Sequence, residues 1–430
     1  MDSSYNVLLI GSGGREHAIA WKLSQSEHLG KLYIAPGNPG TEMFGVNTSI
    51  DPLSFEDVSA FCENNNIDLV IVGPEAPLVE GIVDYLEAEN IPVFGPRKSA
   101  ARLEGSKEFA KDFMVKYSIP TADYAVFSSD DFDDALIFVQ SKDSYPIVLK
   151  ADGLAAGKGV FICNDEEEVK KRLEEMKAGA SLGKAANRIV VEEFMEGEEA
   201  SVFVISDGHT SHILHNAQDH KRIGDGDTGL NTGGMGAYSP TPVLTEEILD
   251  RVKTEIIEPT ITGMQLEEAA YQGILYIGLM ITKDGPKVVE FNCRFGDPEC
   301  QVILPSLEND LLDLMVATTD QRLDNFRIQL DNKYRCCVVV ASNGYPGNYE
   351  KGKVISGLFD IDDDALLFHA GTGASNGNIV TAGGRVLNVV GSGNTLKDAI
   401  SHAYKNVSKV TFEGCYFRTD IGHKGLKRLN

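Results

Sequence analysis

The chain has 430 residues, 42% of them hydrophobic, and a formal net charge of −25. That length exceeds what one hydrophobic core usually organises and predicts about two to four domains. The acidic balance excludes nucleic acid as a main partner, because phosphate backbones need a basic surface, and no apolar run approaches the roughly 18 residues needed to span a bilayer.

Residues 1–105 alternate short apolar strands with helical stretches. Strands are predicted at 7–10, 32–35, 68–72 and 91–94, and helices at 17–23 and 78–88. Met1-Asp2-Ser3-Ser4 carries no basic segment, so 7–10 reads as a strand and not as a signal peptide, and a cytoplasmic enzyme is expected. The alternation predicts βαβ units around a parallel sheet. Several strands run into Gly11, Pro36, Gly73 or Gly95, and ligands of such sheets bind outside the C-terminal strand ends. Residues 106–330 mix helices with strands joined by glycine-rich loops. Strands at 146–150 and 160–163, separated by a short glycine loop, predict an antiparallel hairpin. Residues 218–240 lack a hydrophobic period and read as a long functional loop. Residues 331–430 restart with an apolar strand at 336–341, followed by a strand at 385–390 and a helix at 396–407, and read as a smaller α/β domain. The seven cysteines have no zinc or disulfide spacing: Cys336 and Cys337 are adjacent, and Cys293 and Cys300 are too far apart for a zinc knuckle. Reduced, mostly buried thiols are expected.

Two glycine loops carry the first chemistry. Gly11-Ser12-Gly13-Gly14-Arg15-Glu16-His17 follows a strand and opens a helix. A dinucleotide fingerprint would need glycine or alanine at Glu16, and an acidic residue where the second strand runs into Pro36. Both features fail. A helix N-terminus behind glycines still suits phosphate, so a sugar-phosphate site at Gly13 and Gly14 is predicted ahead of a ligand-free tight turn. The second loop, Lys150-Ala151-Asp152-Gly153-Leu154-Ala155-Ala156-Gly157-Lys158-Gly159, is not a P-loop. Its glycine spacing is short, Gly159 stands where the magnesium-binding hydroxyl belongs, and a strand follows instead of a helix. It can still fold over a triphosphate, offering backbone N–H groups from around Gly157 and the ammonium groups of Lys150 and Lys158.

Glu290-Phe291-Asn292-Cys293-Arg294-Phe295-Gly296-Asp297-Pro298-Glu299 carries the strongest signal. Residues two apart share a strand face, so Glu290, Asn292 and Arg294 point together while Val289, Phe291 and Cys293 point to the core. A carboxylate beside an amide oxygen suits magnesium. The planar fork of Arg294 suits a γ-phosphate or an acyl phosphate. The acidic run from Glu192 to Glu199 could offer backbone bonds to adenine and a carboxylate to ribose.

These segments, taken together with Val72-Gly73-Pro74-Glu75-Ala76-Pro77-Leu78, Gln218-Asp219-His220-Lys221-Arg222, Asn231-Thr232-Gly233-Gly234-Met235-Gly236-Ala237-Tyr238, Phe368-His369-Ala370-Gly371-Thr372 and Gly383-Gly384-Arg385-Val386, resemble the glycinamide ribonucleotide synthetases of the ATP-grasp superfamily over nearly the whole chain. The resemblance implies an α/β ATP-grasp fold: an N-terminal parallel-sheet, Rossmann-like domain (1–105), a two-part ATP-binding core (106–330) with a mobile subdomain near 120–195, and a small C-terminal α/β domain (331–430). It implies ATP contacts at Lys107, Lys150, Gly157, Lys158, Glu192, Glu193, Phe194, Met195, Glu199 and Asn231, and Mg2+ or Mn2+ on Glu290 and Asn292. It places glycine and 5-phosphoribosylamine near Gly13, Gly14, Arg15, Asp219, His220, Lys221 and Arg294, with Lys158, Arg294 and Asp219 in catalytic roles. Many ATP-grasp enzymes carry a further acidic metal ligand on the preceding strand, and the strand at 275–281 offers none, so the resemblance carries over ligands for one ion and leaves the number of ions open. Fusion to aminoimidazole ribonucleotide synthetase occurs in such families. Formate- or bicarbonate-using ATP-grasp enzymes share the ATP parts.

Overall fold

The computed structural model describes residues 4–128, 131–142, 144–153, 159–177 and 187–429. The N-terminal part is a five-stranded parallel sheet. Its strands are β1 (Tyr5–Gly11), β2 (Leu29–Pro36), β3 (Val46–Asn47), β4 (Leu69–Val72) and β5 (Val93–Phe94), in the order β3-β2-β1-β4-β5. Helices α1 (Gly14–Leu23), α2 (Phe55–Asn65), α3 (Glu75–Glu80), α4 (Ile82–Ala88) and α5 (Lys98–Gly105) connect and cover it. The one helix expected over 78–88 is two, because Gly81 sits at φ +99° and closes α3. Helix α2 was not foreseen, since Val58 and Cys62 are its only fully apolar buried positions. The strand order reverses between β1 and β4. The crevice at their C-terminal ends therefore receives the turn at Gly11–Arg15 from one side and Glu75 from the other.

Helix α6 (Lys107–Lys116) leads into a four-stranded antiparallel sheet of β6 (Tyr124–Ser128), β7 (Ile147–Ala151), β8 (Val160–Cys163) and β9 (Arg188–Glu193), ordered β6-β9-β7-β8. Helices α7 (Phe132–Lys142) and α8 (Glu166–Lys177) cover it. It has a core of its own, built from residues such as Leu149, Val169, Leu173 and Val191. The antiparallel β7–β8 pair matches the expected hairpin.

The remaining strands are β10 (Glu198–Asp207), β11 (Ser211–Asp219), β12 (Arg222–Gly224), β13 (Thr228–Asn231), β14 (Gly236–Ser239), β15 (Gln272–Thr282), β16 (Gly285–Asn292), β17 (Tyr334–Ser342), β18 (Leu366–His369), β19 (Thr372–Ser375), β20 (Asn378–Thr381), β21 (Arg385–Gly393) and β22 (Cys415–Tyr416). Nine of them form one sheet, β16-β15-β10-β11-β14-β17-β21-β18, with β22 paired to β17. One expectation changes here. Residues 218–240 are not a structureless loop, because they hold the β12–β13 hairpin and β14. The sheet also continues through residue 331, since β14 bonds to β11 on one side and β17 on the other. All seven cysteines are free, and all but Cys415 are buried. No helix among the described residues is long and apolar enough to cross a membrane.

A buried histidine pair joins α1 to β18. The His369 backbone N–H donates to His17 Nδ1 at 2.7 Å, and Asn38 Nδ2 donates to the Ser12 and His369 carbonyls. Burial, reinforced by the neighbouring His369, lowers His17 to about 3, and burial lowers His369 to about 4. Both rings are neutral in the folded chain, whereas the unfolded chain takes up protons below about pH 6.5. Stability from this pair is therefore complete above that pH. As the pH falls towards the folded values, each ring costs up to about 1.4 kcal/mol per pH unit. Urea unfolding should show the loss between about pH 7 and pH 5, with a shallower slope in His17→Asn. An equal slope in that variant would place the acid sensitivity elsewhere.

Candidate active site

The three sheets meet around a cleft of about 1500 Å³. Its first wall carries lysines. Lys150, at the end of β7, lies 2.9 Å from Glu192 and donates to the Val289 carbonyl at 3.1 Å. Lys111 on α6 lies 3.1 Å from the other Glu192 oxygen and donates to Thr121 at 2.8 Å. Lys107 Nζ donates to the Gly153 carbonyl at 2.9 Å. Asp152 caps α6 by accepting from the Lys107 backbone N–H at 2.6 Å, which anchors the second glycine loop to this helix. Burial lowers Lys111 to about 8, against the pull of Glu192. Glu192 is buried between two ammonium groups, so its side chain is committed to them, and only its backbone remains for a nucleotide. Lys111 was missed in the sequence, although its spacing of four from Lys107 places both on one helix face. Glu193, Phe194, Met195 and Glu199 follow along the same wall. Gly157 and Lys158 lie outside the described residues.

The opposite wall is the end of β16. Glu290 and Asn292 both face the cleft. A bulge in the β15–β16 pairing beside Leu279 changes the alternation, so Val289 also reaches the cleft instead of the core, while Phe291 and Cys293 are buried as expected. Burial opposes ionisation of Glu290, but Lys221, Lys150 and Lys107 together hold it below the usual carboxylate range. An ionised carboxylate and an amide oxygen on one strand face are a donor pair that fits Mg2+ or Mn2+ and leaves room for phosphate oxygens.

Arg294 follows β16 and is clamped from the N-terminal part. Its Nε donates to Glu75 at 3.1 Å and its Nη2 to Glu104 at 2.8 Å. Burial opposes the charge of Glu75, yet Arg294 and Arg15 hold it at about 2. Glu75 stands within the motif at 72–78, but nothing in the sequence ties it or Glu104 to Arg294.

A second charged group lies at the end of β11. Lys221 bridges Glu199 at 2.9 Å and Glu290 at 3.8 Å. Asp219 and Glu299 are buried beside it, and burial pushes both carboxyls upward; Asp219 adds to the rise of Glu299, while Glu199 and Glu290 add to that of Asp219 against the pull of Lys221. Asn231 faces the same space from β13. His220 does not join it. The ring is fully buried, accepts from the Gly422 N–H at 3.3 Å and packs against His423, because alternation along the chain turns it away from Asp219 and Lys221.

The first glycine loop also differs from expectation. Arg15 lines the cleft, but Gly13 and Gly14 do not. The Gly13 N–H donates to Glu16 at 2.6 Å, and the Arg15 N–H donates to Asp297 at 3.3 Å. Protein carboxylates thus occupy the helix N-terminus that a sugar phosphate would need. A Cβ on Gly14 would meet Asn388 Nδ2 at 2.3 Å, so this glycine serves close packing.

Comparison with known proteins agrees with this arrangement. The descriptions of phosphoribosylglycinamide synthetase match in three parts: the N domain at residues 5–104, the ATP-grasp (A) domain at 105–300 and the C domain at 335–424. The phosphoribosylamine–glycine ligase of Mesorhizobium japonicum is 51% identical over 424 residues, covering 98% of this chain and 99% of that protein. A bifunctional purine biosynthetic protein of Pichia angusta is 47% identical over 428 residues, covering 98% of this chain and 54% of that protein. The crystal structure of the Thermotoga maritima phosphoribosylamine–glycine ligase superposes with a TM-score of 0.83 at 34% identity, covering 97% of this chain and all of that one. With all three family segments matched in order along one chain, and with lysines and a carboxylate–amide pair facing each other across one cleft, the protein belongs to the phosphoribosylglycinamide synthetase family.

Proposed function

We infer that the chain joins glycine to 5-phosphoribosylamine, converting ATP to ADP and phosphate and yielding glycinamide ribonucleotide for purine biosynthesis. The observation that carries this reading is Glu290 and Asn292 facing Lys107 and Lys150 across the cleft of a chain that matches the ligase family end to end. The glycine carboxylate attacks the γ-phosphorus of ATP, which releases ADP and forms glycyl phosphate. The amine of phosphoribosylamine then attacks the acyl carbon and expels phosphate. No protein nucleophile is needed. The protein contributes positioning, worth up to about 7–11 kcal/mol, and charge stabilisation.

Lys107 and Lys150 hold the phosphates, joined by Lys158 of the glycine loop. Glu290 and Asn292 would hold Mg2+ or Mn2+, which supplies countercharge to the phosphate oxygens when bound. Arg294, fixed by Glu75 and Glu104, brings its guanidinium charge to the acyl phosphate. Asp219 and Lys221 orient the amine and glycine beside it, and Arg15 faces the same pocket. The backbone of 192–195 receives adenine, with Glu199 and Asn231 at its margin. We assign 1–105, 106–330 and 331–430 to the N-terminal, ATP-binding and C-terminal parts. Closure of the 120–195 unit over the cleft would keep water from glycyl phosphate. The same ligase would serve in the cytoplasm alone or fused to an aminoimidazole ribonucleotide synthetase.

The test is phosphate release with ATP, glycine and phosphoribosylamine, omitting each in turn. Release should require all three. Equal release when formate or bicarbonate replaces glycine would overturn the assignment.

A further inference from the structure

The β12–β13 hairpin stands in the cleft wall without belonging to a larger sheet. Among the described residues its strands pair only with each other. Lys221, Arg222, Asp227 and Asn231 face the cleft from it, while Asp225, Gly226 and residues 228–230 are exposed. Glycine stands at 224, 226 and 229, and Gly226 and Asp227 both take positive φ. A short, exposed, glycine-rich ribbon with little apolar burial has low local stability by itself.

What holds it comes from the far end of the chain. Arg418, fully buried, donates through Nη1 to the Arg222 carbonyl at 3.0 Å and to Asp227 at 2.9 Å. Its Nε and Nη2 take both oxygens of Asp420 at 2.7 and 2.8 Å. Asp420 in turn accepts from the Gly226 N–H at 2.8 Å. Around this centre, Tyr416 donates to the Ile223 carbonyl at 2.8 Å, the Thr419 N–H donates to Asp225 at 2.8 Å, and Lys424 lies 2.7 Å from Asp227. Every turn residue from Asp225 to Asp227 is thus bonded to segment 416–424.

A buried guanidinium is an expensive way to fill space, and an apolar side chain of similar volume is often as stable or more so. What the guanidinium adds is direction. Its planar fork reaches a strand carbonyl, a turn carboxylate and a carboxylate of its own segment at once, which a lysine or a methionine cannot do. We propose that Arg418 is a positioning residue for the ligase reaction: through Asp420 and Asp227 it fixes the 222–231 hairpin, and with it Lys221 and Asn231, against the cleft. The Lys221 carbonyl accepts from both the N–H and the hydroxyl of Thr232, so the base of the hairpin and this lysine move as one piece. The inference rests on the ligase reading of the cleft.

The experiment compares Arg418→Met, Asp225→Ala and the wild type by amide hydrogen exchange without substrates and by steady-state kinetics. In Arg418→Met, amides of residues 222–231 should exchange at least about tenfold faster while those of β10 and β11 keep their rates, and kcat/KM for phosphoribosylamine should fall at least about tenfold. Asp225 is exposed and outside the cleft, so its variant folds. It should shift both readouts in the same direction by about threefold, and it decides the matter should Arg418→Met fail to fold. Unchanged hairpin exchange in the variants, or faster exchange with unchanged kcat/KM, would overturn the proposal. Exchange is read without substrate and judges the tether alone. Wild-type phosphate release that ignores glycine and the amine would sink the ligase reading instead.

Discussion

Replacing Glu290 with alanine should lower glycine-dependent ADP formation about 10³-fold while the chain stays folded. The half-buried carboxylate sits at the end of β16, where no backbone bond depends on it, and its charge is maintained by three lysines that face it. Removing it leaves Asn292 as the remaining oxygen of the pair and takes away the negative charge that holds a divalent cation beside the phosphates. Two readouts separate the metal from the rest of the site. Manganese binding in the presence of ADP, followed by electron paramagnetic resonance, should weaken at least about tenfold. The unfolding midpoint should move little, because surrounding lysines lose one partner but gain solvent. Turnover within twofold of the wild type would remove Glu290 from this role.

Arg294→Met should cost both stability and activity, for separable reasons. The guanidinium neutralises Glu75 and Glu104, and its loss leaves Glu104 as a buried carboxylate without a cation. Breaking such a pair destabilises by about 3–5 kcal/mol, which urea unfolding will report. Adding Glu104→Gln removes the stranded charge, so the double variant should regain much of the stability. It should still lack turnover, because among the described residues no other guanidinium is bonded to Asn292, where Arg294 Nη2 lies 3.4 Å from the amide oxygen. A double variant that recovered turnover would make Arg294 a structural residue only.

The sequence made parts of this site legible for particular reasons. Strand parity put Glu290 and Asn292 on one face, because period-two alternation is local and the bulge beside Leu279 ends before this pair. The β7–β8 hairpin was readable from a glycine loop between two apolar runs. The bulge that turns Val289 outward leaves no trace in composition, and the short strands β12 and β13 lack the alternating apolar residues by which strands are recognised. The clamp on Arg294 joins residues 219 and 190 positions apart, which spacing rules cannot reach. The Asp297 carboxylate that accepts from the Arg15 N–H beside Gly13–Gly14 arrives from 282 positions away, so the local sequence carries no sign of it.

The sheet that runs unbroken from β16 to β18 has a consequence for how such a chain can be altered. Strand β14 is hydrogen-bonded on both sides, and its second partner, β17, belongs to the last part of the sequence. A protein cut before β17 would carry an open row of backbone donors and acceptors across its middle, a template for self-association. The segment beyond residue 331 is therefore no detachable cassette. A chimaera exchanging it between relatives must rebuild a strand-to-strand seam inside one sheet, whereas an exchange made before α6 need only match side chains.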